Sequence, residues 1–370
     1  MKYYIISGEA SGDLHGSNLI KQLKVLDSEA NIRCWGGDMM LAAGATLVKH
    51  YRDLAFMGFA EVVKNLPTIL KNISFCKEDI KAFAPDVLVL IDYPGFNLRI
   101  AEWGKQQGYK IVYYISPQVW AWKANRVKKM RLCIDKMMVI LPFEKDYFKN
   151  VWNWDVEYVG HPLVEVIENY KANNLPSTNN NTLPIVALLP GSRKQEIEKK
   201  LPVMLSVSNS FPQYQFVVAK APGQEDSFYE PFLSPYANVS AVSNDTYSIL
   251  MQAKAALVTS GTATLETALF AVPEVVCYRS SNISYQIGKR LIKIKFISLV
   301  NLIMDKLVVK ELIQDELTTD NLVKELSILL SNTDKQIQLQ ADYAALKGVL
   351  SEKENASAKA ARSIYEFVSI

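Results

Sequence analysis

The chain has 370 residues, of which 49% are hydrophobic and 21% are charged, and its formal net charge is +3 at pH 7. This length predicts two domains of about 150 to 200 residues each, and the balanced charge excludes the overall basic surface of a nucleic-acid-binding protein. The four cysteines lack Cys-x-x-Cys spacing and no apolar run suits a secretory signal or a membrane span, so we expect a cytoplasmic protein without a zinc site.

Short runs rich in valine, isoleucine and tyrosine alternate with helical patterns, which is typical of parallel sheets built from strand-helix-strand units. In the first half the predicted strands are 3–7, 32–36, 87–91, 111–115 and 137–141. A second series follows at 185–189, 215–218, 255–258 and 274–278. We therefore predict an α/β fold of two doubly wound, Rossmann-like domains that face each other across a cleft.

The domain bounds follow from a break in this pattern. Residues 175–183 have no apolar period and predict an exposed linker, which separates an N-terminal domain at 1–175 from a C-terminal domain at 183–340. The remaining residues, 341–370, are helical and charged, with a terminal apolar pattern. One arrangement packs this segment back on the N-terminal domain.

A glycine-rich loop follows the first predicted strand, at residues 7–16. Its glycines permit close approach of a ligand, and Glu9, Asp13 and His15 place polar side chains on the same loop. The absence of Gly-Lys-Ser/Thr excludes a P-loop, and the glycine spacing differs from the dinucleotide fingerprint. The alternative is a loop in which Ser11 or Asp13 merely caps the following helix.

Asp92 directly follows the apolar strand 87–91. Partial burial at the mouth of that strand would raise the pKa of the carboxylate toward that of a useful general base. The alternative is an aspartate that only shapes the turn before Pro94. Asn97 adds polar capacity nearby.

Two loops of the second series repeat one pattern, in which a strand ends and a helix begins at small polar residues. The helix amides there can receive phosphate oxygens, Arg193 can pair with a diphosphate, and Glu266 can reach ribose hydroxyls. Either loop alone could be interpreted as ordinary helix capping. Together the two loops predict a nucleotide-diphosphate site. The loop residues are Gly191, Ser192 and Arg193, and Ser260, Gly261 and Thr262.

Aromatic and basic residues interleave between positions 120 and 131. This composition suits a membrane interface or a phosphorylated lipid, and a solvated helix face beside buried tryptophans is the alternative. The residues concerned are Trp120, Trp122, Lys123, Arg126, Lys128 and Lys129.

An apolar stripe includes Phe56 and Met57. These residues either pack in the core or contact an acyl chain.

No Asp-x-Asp motif occurs and the three histidines are far apart in sequence, so we expect no bound metal and no cofactor.

Five segments together resemble the lipid-A-disaccharide synthase family, in the same order along the chain. They are residues 7–16, Ser-Pro-Gln-Val-Trp-Ala-Trp at 116–122, Gly-His-Pro-Leu at 160–163, Leu-Pro-Gly-Ser-Arg at 189–193 and Ser-Gly-Thr-Ala-Thr-Leu-Glu at 260–266. Two positions depart from the family pattern. Gly95 stands where a second acidic residue is common, and Val300 stands where proline is usual, beside Asn301.

The resemblance implies an inverting, metal-independent glycosyltransferase of the GT-B type. Such an enzyme joins UDP-2,3-diacylglucosamine to 2,3-diacylglucosamine 1-phosphate, and it forms the β-1,6-linked lipid A disaccharide 1-phosphate and UDP. It also implies peripheral association with the cytoplasmic face of the inner membrane, and a homodimer is one alternative for the oligomeric state.

The roles that the resemblance implies fall into three sets. Asp92 is the base, and Glu9, Asp13 and His15 orient the sugars. Arg193, the amides of 260–262 and Arg279 stabilise the diphosphate, with Glu266 on ribose and Asn301 in the same nucleotide set. The residues that would meet the acceptor or the lipid are Asn97, Phe56, Met57, Trp120, Trp122, Lys123, Arg126, Lys128 and Lys129.

Two other functions remain open at this point. A UDP-sugar 2-epimerase of the same fold would keep the nucleotide loops but need no acyl surface. A non-catalytic membrane-surface binding protein would need the basic aromatic segment but not Asp92.

Overall fold

The computed structural model describes residues 1–54, 66–174, 183–221, 224–281, 285–286 and 294–369. The chain forms two compact units. Unit 1 comprises Met1–Pro162 and Leu350–Ile370, and unit 2 comprises Leu163–Val349. The helix Pro162–Asn173, which the sequence assigns to the end of the first domain, therefore groups with the second unit. Phe56, Met57 and most of the predicted linker lie outside the described residues.

Unit 1 contains a seven-stranded parallel sheet. Its strands are Lys2–Ile6, Asn31–Gly36, Thr46–His50, Val87–Ile91, Lys110–Tyr114, Lys136–Val139 and Glu157–Tyr158, numbered β1 to β7 in chain order. Their order in the sheet is β3-β2-β1-β4-β5-β6-β7. Its described helices are Ala10–Leu26, Asp38–Ala42, Leu66–Phe83, Pro94–Gln106, Arg126–Cys133, Pro142–Trp152 and Ala356–Ser369, with a 3-10 helix at Tyr51–Leu54.

Alternate residues of β1 enter two apolar clusters of unit 1. Tyr4 and Ile6 belong to one cluster, whereas Tyr3 and Ile5 belong to the other. This division arises because successive side chains of a strand point to opposite faces of the sheet. The second cluster also contains Ala360, Ala361 and Ile364 of the last helix, so the end of the chain completes the core of unit 1.

Unit 2 contains a six-stranded parallel sheet. Its strands are Ile185–Leu189, Gln215–Lys220, Val239–Ser243, Ala253–Thr259, Glu274–Tyr278 and Lys310–Ile313, numbered β8 to β13. Their order in the sheet is β10-β9-β8-β11-β12-β13. Its described helices are Pro162–Asn173, Lys194–Ser206, Asp226–Leu233, Thr246–Gln252, Thr262–Leu269, Leu299–Met304, Thr319–Ser331 and Thr333–Leu350, with 3-10 helices at Val207–Ser210 and Gln314–Glu316.

Two doubly wound parallel sheets confirm the predicted α/β class. Strand order reverses between β1 and β4 in unit 1, and between β8 and β11 in unit 2. The loops after these paired strands lead to opposite faces of the sheet and leave a crevice at the carboxyl end. Registers Ile6↔Leu90 and Leu189↔Val258 place the ends of the paired strands side by side.

Within the described segments, no helix combines the length and the apolar character that a membrane span requires.

Candidate functional site

The loops after β1 and β4 meet at Gly8 and Tyr93. A Cβ atom on Gly8 would lie 2.4 Å from carbon atoms of the Tyr93 ring, so only glycine leaves room for this contact. Tyr93 in turn stacks on Phe96 with ring centroids 5.7 Å apart. The glycine-rich loop is thus packed directly against the loop that carries Asp92.

The backbone at Asp92 is strained and held from two sides. Asp92 and Tyr93 have φ angles of 43° and 47°, in the left-handed region that non-glycine residues rarely adopt. The carbonyl oxygen of Asp92 accepts hydrogen bonds from the Tyr113 hydroxyl at 2.5 Å and from Asn97 Nδ2 at 2.8 Å. Strain of this kind persists where surrounding contacts enforce it, and it clusters at functional sites.

Asn97 is fully buried, and its amide nitrogen also donates to the carbonyl oxygens of Ile6 and Ile91. The predicted acceptor-binding residue therefore ties together the carboxyl ends of β1 and β4 and the Asp92 loop. In the structure its hydrogen bonds are those of a residue that holds the Asp92 loop in place.

The Asp92 carboxyl group has a raised pKa. Burial raises the pKa of Asp92 from 3.8 to about 6, and repulsion from the Glu9 carboxylate adds to the shift. At neutral pH Asp92 is then mostly ionised and more basic than an ordinary aspartate. This is the property that a general base requires.

Glu144 is a further residue of this site, which the sequence analysis missed. Its carboxylate accepts hydrogen bonds from Trp120 Nε1 at 3.1 Å and from the Leu141 amide at 3.0 Å. Burial raises its pKa to about 8, and the charge of Asp92 contributes to that increase. It lies in the first turn of the helix Pro142–Trp152, where acidic residues are common, so the sequence around it carries no signal of a site.

Asp13 and His15 are both buried, with different surroundings. The Asp13 carboxylate accepts backbone hydrogen bonds from Gly37, Met39 and Met40 at 2.7 to 3.1 Å, so it caps the helix Asp38–Ala42. Burial lowers the pKa of His15 to about 4, which leaves the imidazole neutral at pH 7. Both residues lie on the helix Ala10–Leu26 and not on the predicted loop, because the helix begins four residues earlier than the sequence suggests. Asp13 thus joins this helix to the next one rather than presenting a carboxylate to solvent.

The two tryptophans of the basic aromatic segment point into different surroundings. Trp120 is partly buried, bonded to Glu144 and in edge contact with Phe143 at 4.9 Å. Trp122 is 46% exposed, and its ring lies 4.2 Å from Lys123 Nζ and 5.6 Å from Arg126 Cζ. Such cation–π contacts hold an exposed indole among positive charges.

Lys128 and Lys129 extend this basic surface along the helix Arg126–Cys133, and both are exposed. Lys129 Nζ lies 3.6 Å from a carboxylate oxygen of Glu102, a long ion pair at the surface. Leu132 on the same helix is 78% exposed. The surface therefore combines exposed apolar and cationic groups.

In unit 2, a cavity of about 480 Å³ opens where the loops after β8 and β11 lie side by side. It brings together residues that the sequence analysis assigned separately to two phosphate-binding loops. The predicted residues that line it are Gly191, Ser192, Arg193, Ser260, Gly261, Thr262 and Glu266.

Helix N-termini supply the amides of this cavity. Arg193 and Gly261 are the N-cap residues of the helices Lys194–Ser206 and Thr262–Leu269. Gly191 and Gly261 have φ angles of 112° and 128°, which glycine adopts without strain. Two helix N-termini that open into one cavity favour an anionic ligand.

Glu266 lies on the second of these helices and is fixed by a neighbour. The Tyr247 hydroxyl donates to its carboxylate at 2.8 Å, and burial raises its pKa. Lys220 also lines the cavity, although the sequence analysis did not single it out, and its ammonium lies 2.6 Å from Asp226. Acceptor and donor groups are therefore both present in the cavity wall.

Arg279 and Asn301 are not among the residues that line this cavity. Arg279 donates to the carbonyl oxygens of Gln314 and Leu317. Asn301 is fully buried, and its amide bonds to Val309 O and Glu311 while its oxygen accepts from backbone amides. In the structure both side chains hold the backbone on either side of β13 by hydrogen bonds.

Within the described ranges, no three histidine, cysteine or acidic side chains converge in a way that would hold a metal ion.

Comparisons with known proteins identify similar sequences over nearly the whole chain. A family model described as "Lipid-A-disaccharide synthetase" matches residues 3–365. The lipid-A-disaccharide synthase of Geobacter metallireducens is 38% identical over 93% of this chain and 91% of its own length. That of Coxiella burnetii is 35% identical over 98% of both chains.

Solved structures of low sequence identity share the fold. UDP-GlcNAc 2-epimerase from Neisseria meningitidis bound to UDP-GlcNAc has a TM-score of 0.67 at 12% identity, with 100% of both chains covered. The calicheamicin glycosyltransferase CalG4 has a TM-score of 0.63 at 14% identity and covers 100% of this chain and 98% of its own. At these identities the likeness concerns the fold alone.

The raised pKa of Asp92 yields a testable prediction. In a carbon-13 NMR titration the Asp92 carboxyl, assigned by its loss in Asp92→Asn, should titrate near pH 6. Glu9→Gln should lower this pKa because it removes the neighbouring negative charge. The exposed Glu29→Gln change serves as control and should leave it unaltered. A midpoint near 4 in the parent chain would show that the Asp92 carboxyl is well solvated.

Proposed function

The chain belongs to the lipid-A-disaccharide synthase family, and from its residues we propose how it joins UDP-2,3-diacylglucosamine to 2,3-diacylglucosamine 1-phosphate. It is a glycosyltransferase of lipid A biosynthesis that forms the β-1,6-linked disaccharide 1-phosphate and releases UDP. The observation that carries this function is the family match over residues 3–365. The fold alone does not separate it from a 2-epimerase, because proteins of both classes share it.

Unit 2 binds the UDP moiety of the donor. The support is the cavity in which Arg193 and two helix N-termini converge. Negative charge develops on the leaving diphosphate during transfer, and preorganised amides with a guanidinium stabilise such charge. Glu266, held by Tyr247, accepts hydrogen bonds from the ribose hydroxyls.

Unit 1 supplies the base. Asp92 removes the proton from the acceptor 6-hydroxyl as that oxygen attacks the anomeric carbon and the bond to UDP breaks. Its raised pKa and its rigidly held backbone support this role. The Glu9 carboxylate raises the pKa of Asp92 by repulsion. Asn97 and Tyr113 hold the Asp92 carbonyl group in place by hydrogen bonds.

The basic aromatic surface meets the acceptor phosphate and the membrane. We propose peripheral association with the cytoplasmic face of the inner membrane, since Trp122 and Leu132 are exposed beside cations. An interfacial indole and nearby lysines suit an anionic lipid surface. The roles of Phe56 and Met57, and the homodimer, stay predictions.

Removal of the base should abolish most turnover. Asp92→Asn keeps the shape of the side chain but not its basicity, so turnover should fall about 10²- to 10⁴-fold while UDP affinity stays near parental. The exposed Asp53→Asn change is the control and should leave turnover unchanged. Turnover, UDP affinity and melting temperature are measured on one preparation. A folded Asp92→Asn enzyme that retains more than about a tenth of parental turnover would contradict the assignment.

Nucleotide contacts should be measurable by calorimetric titration with UDP. Arg193→Ala and Glu266→Ala each remove a contact to a charged or hydroxylated group, and each should weaken binding by about 1 to 3 kcal/mol. Lys199→Ala removes an exposed cation from the same helix as Arg193 and should have little effect. Parental affinity in both cavity variants, with the fold intact, would place the nucleotide elsewhere.

Membrane association should depend on apolar and basic groups together. In flotation with anionic liposomes, Trp122→Ser combined with Lys128→Glu/Lys129→Glu should reduce the bound fraction, because interfacial binding adds both contributions. The matched control Lys199→Glu/Lys324→Glu makes the same lysine charge reversal at exposed positions of unit 2. Equal flotation of both variants and the parent would show that this surface does not contact lipid.

A further inference from the structure

An acidic side chain lines the cavity of unit 2 at the place where an anion is expected. Glu196 Oε1 lies 3.5 Å from Arg193 Nη1, and its other oxygen lies 3.7 Å from Lys200 Nζ. A Cβ atom on Gly191 would lie 2.9 Å from Glu196 Oε2, so this carboxylate is in close contact with the loop backbone. A negative charge therefore lies beside the arginine and the glycine loop assigned to the diphosphate.

Lys200 makes this arrangement unusual. Its side chain is buried, with the ammonium bonded to Thr259 Oγ1 at the end of β11. Burial lowers its pKa, whereas the Glu196 carboxylate acts in the opposite direction and favours the charged form. Glu196 thus has two cationic partners, an exposed one in Arg193 and a buried one in Lys200.

With two cationic partners, Glu196 can lose Arg193 to a ligand and still stay paired with Lys200. If a diphosphate takes the Arg193 guanidinium, Glu196 keeps Lys200 as its counter-ion and no buried lysine is left unpaired. The remaining carboxylate still repels the phosphate oxygens, because charges a few ångströms apart interact even near the surface. The repulsion grows with the negative charge of the ligand.

We propose that Glu196 is a specificity-determining residue that competes with the diphosphate for Arg193 and so limits the affinity of the cavity for UDP. The consequence is a product that leaves readily after transfer. This inference rests on the proposed function, since it requires the diphosphate to bind in this cavity. Glu196 opposes binding of the diphosphate, whereas Arg193 and the helix N-termini favour it.

The alternative is an ion pair that only stabilises its own helix. Glu196 and Arg193 are three residues apart, and such pairs at helix surfaces contribute about 0.2 to 0.5 kcal/mol to the helix. A carboxylate with that role would change the melting temperature and not discriminate among ligands by charge. A carboxylate that accepts ligand hydroxyls would, on removal, weaken binding of all uridine ligands.

The test is calorimetric titration of the full chain with uridine, UMP and UDP at low and high salt. Glu196→Gln removes the charge and keeps the shape, so UDP should bind about three- to tenfold tighter, UMP less so, and uridine unchanged. The gain should decrease at high salt because screening weakens surface charges. UDP should also become a stronger product inhibitor by the same factor.

Two matched variants separate local charge from other effects. Glu198→Gln makes the same charge change at an exposed position of the same helix, outside the cavity, and should leave UDP affinity within about twofold. Glu196→Asp keeps the charge and should not tighten binding. Equal tightening in Glu198→Gln, or weaker UDP binding in Glu196→Gln, would overturn the inference.

The outcomes also distinguish this inference from the function beneath it. If the parent chain does not bind UDP, or if Arg193→Ala leaves UDP affinity unchanged, the nucleotide assignment fails and this inference fails with it. If UDP binds the parent and Arg193→Ala weakens it, but Glu196→Gln does not tighten it, only the role of Glu196 is wrong.

Discussion

The reversal of strand order in each parallel sheet is the constraint on which the candidate site residues depend. At β1 and β4, and again at β8 and β11, two neighbouring strands send their chains to opposite faces of the sheet. Backbone amides and side chains at those carboxyl ends are therefore not covered by a crossing helix. The Asp92 loop and the Arg193 loop both occupy such positions. Residues distant in sequence converge there because parallel strands end at the same edge.

The two units place opposite chemical properties at these equivalent positions. In unit 1 burial raises the pKa of Asp92, so this carboxylate accepts a proton more readily than an ordinary aspartate. In unit 2 helix N-termini and Arg193 create positive potential, which favours an anionic ligand. In the proposed reaction the same topology thus supports both a base and a stabilised leaving group. The residue types at the loop, rather than the sheet, decide which property each unit has.

The sequence predicted the interior strands of both sheets but none of the edge strands β3, β7, β10 and β13. Interior strands such as Val87–Ile91 are buried throughout and read as continuous apolar runs, whereas the edge strand Val239–Ser243 is only partly buried and mixes serine with valine. The sequence singles out the glycine loops and Asp92 as candidates because glycine spacing and a carboxylate after an apolar run are local signals. The partners of Asp13 and Asn97 were not found, because their hydrogen bonds join segments that only the fold brings together.

The last helix has a consequence for synthesis of the chain on the ribosome. Ala360, Ala361 and Ile364 fill part of the apolar cluster of unit 1, yet they are made after all of unit 2. The residues of unit 2 form a continuous stretch and emerge complete before unit 1 can bury this face. The order of completion is therefore the reverse of the order of the units along the chain. During elongation, the sheet that carries Asp92 exposes an apolar surface that a nascent-chain chaperone can recognise.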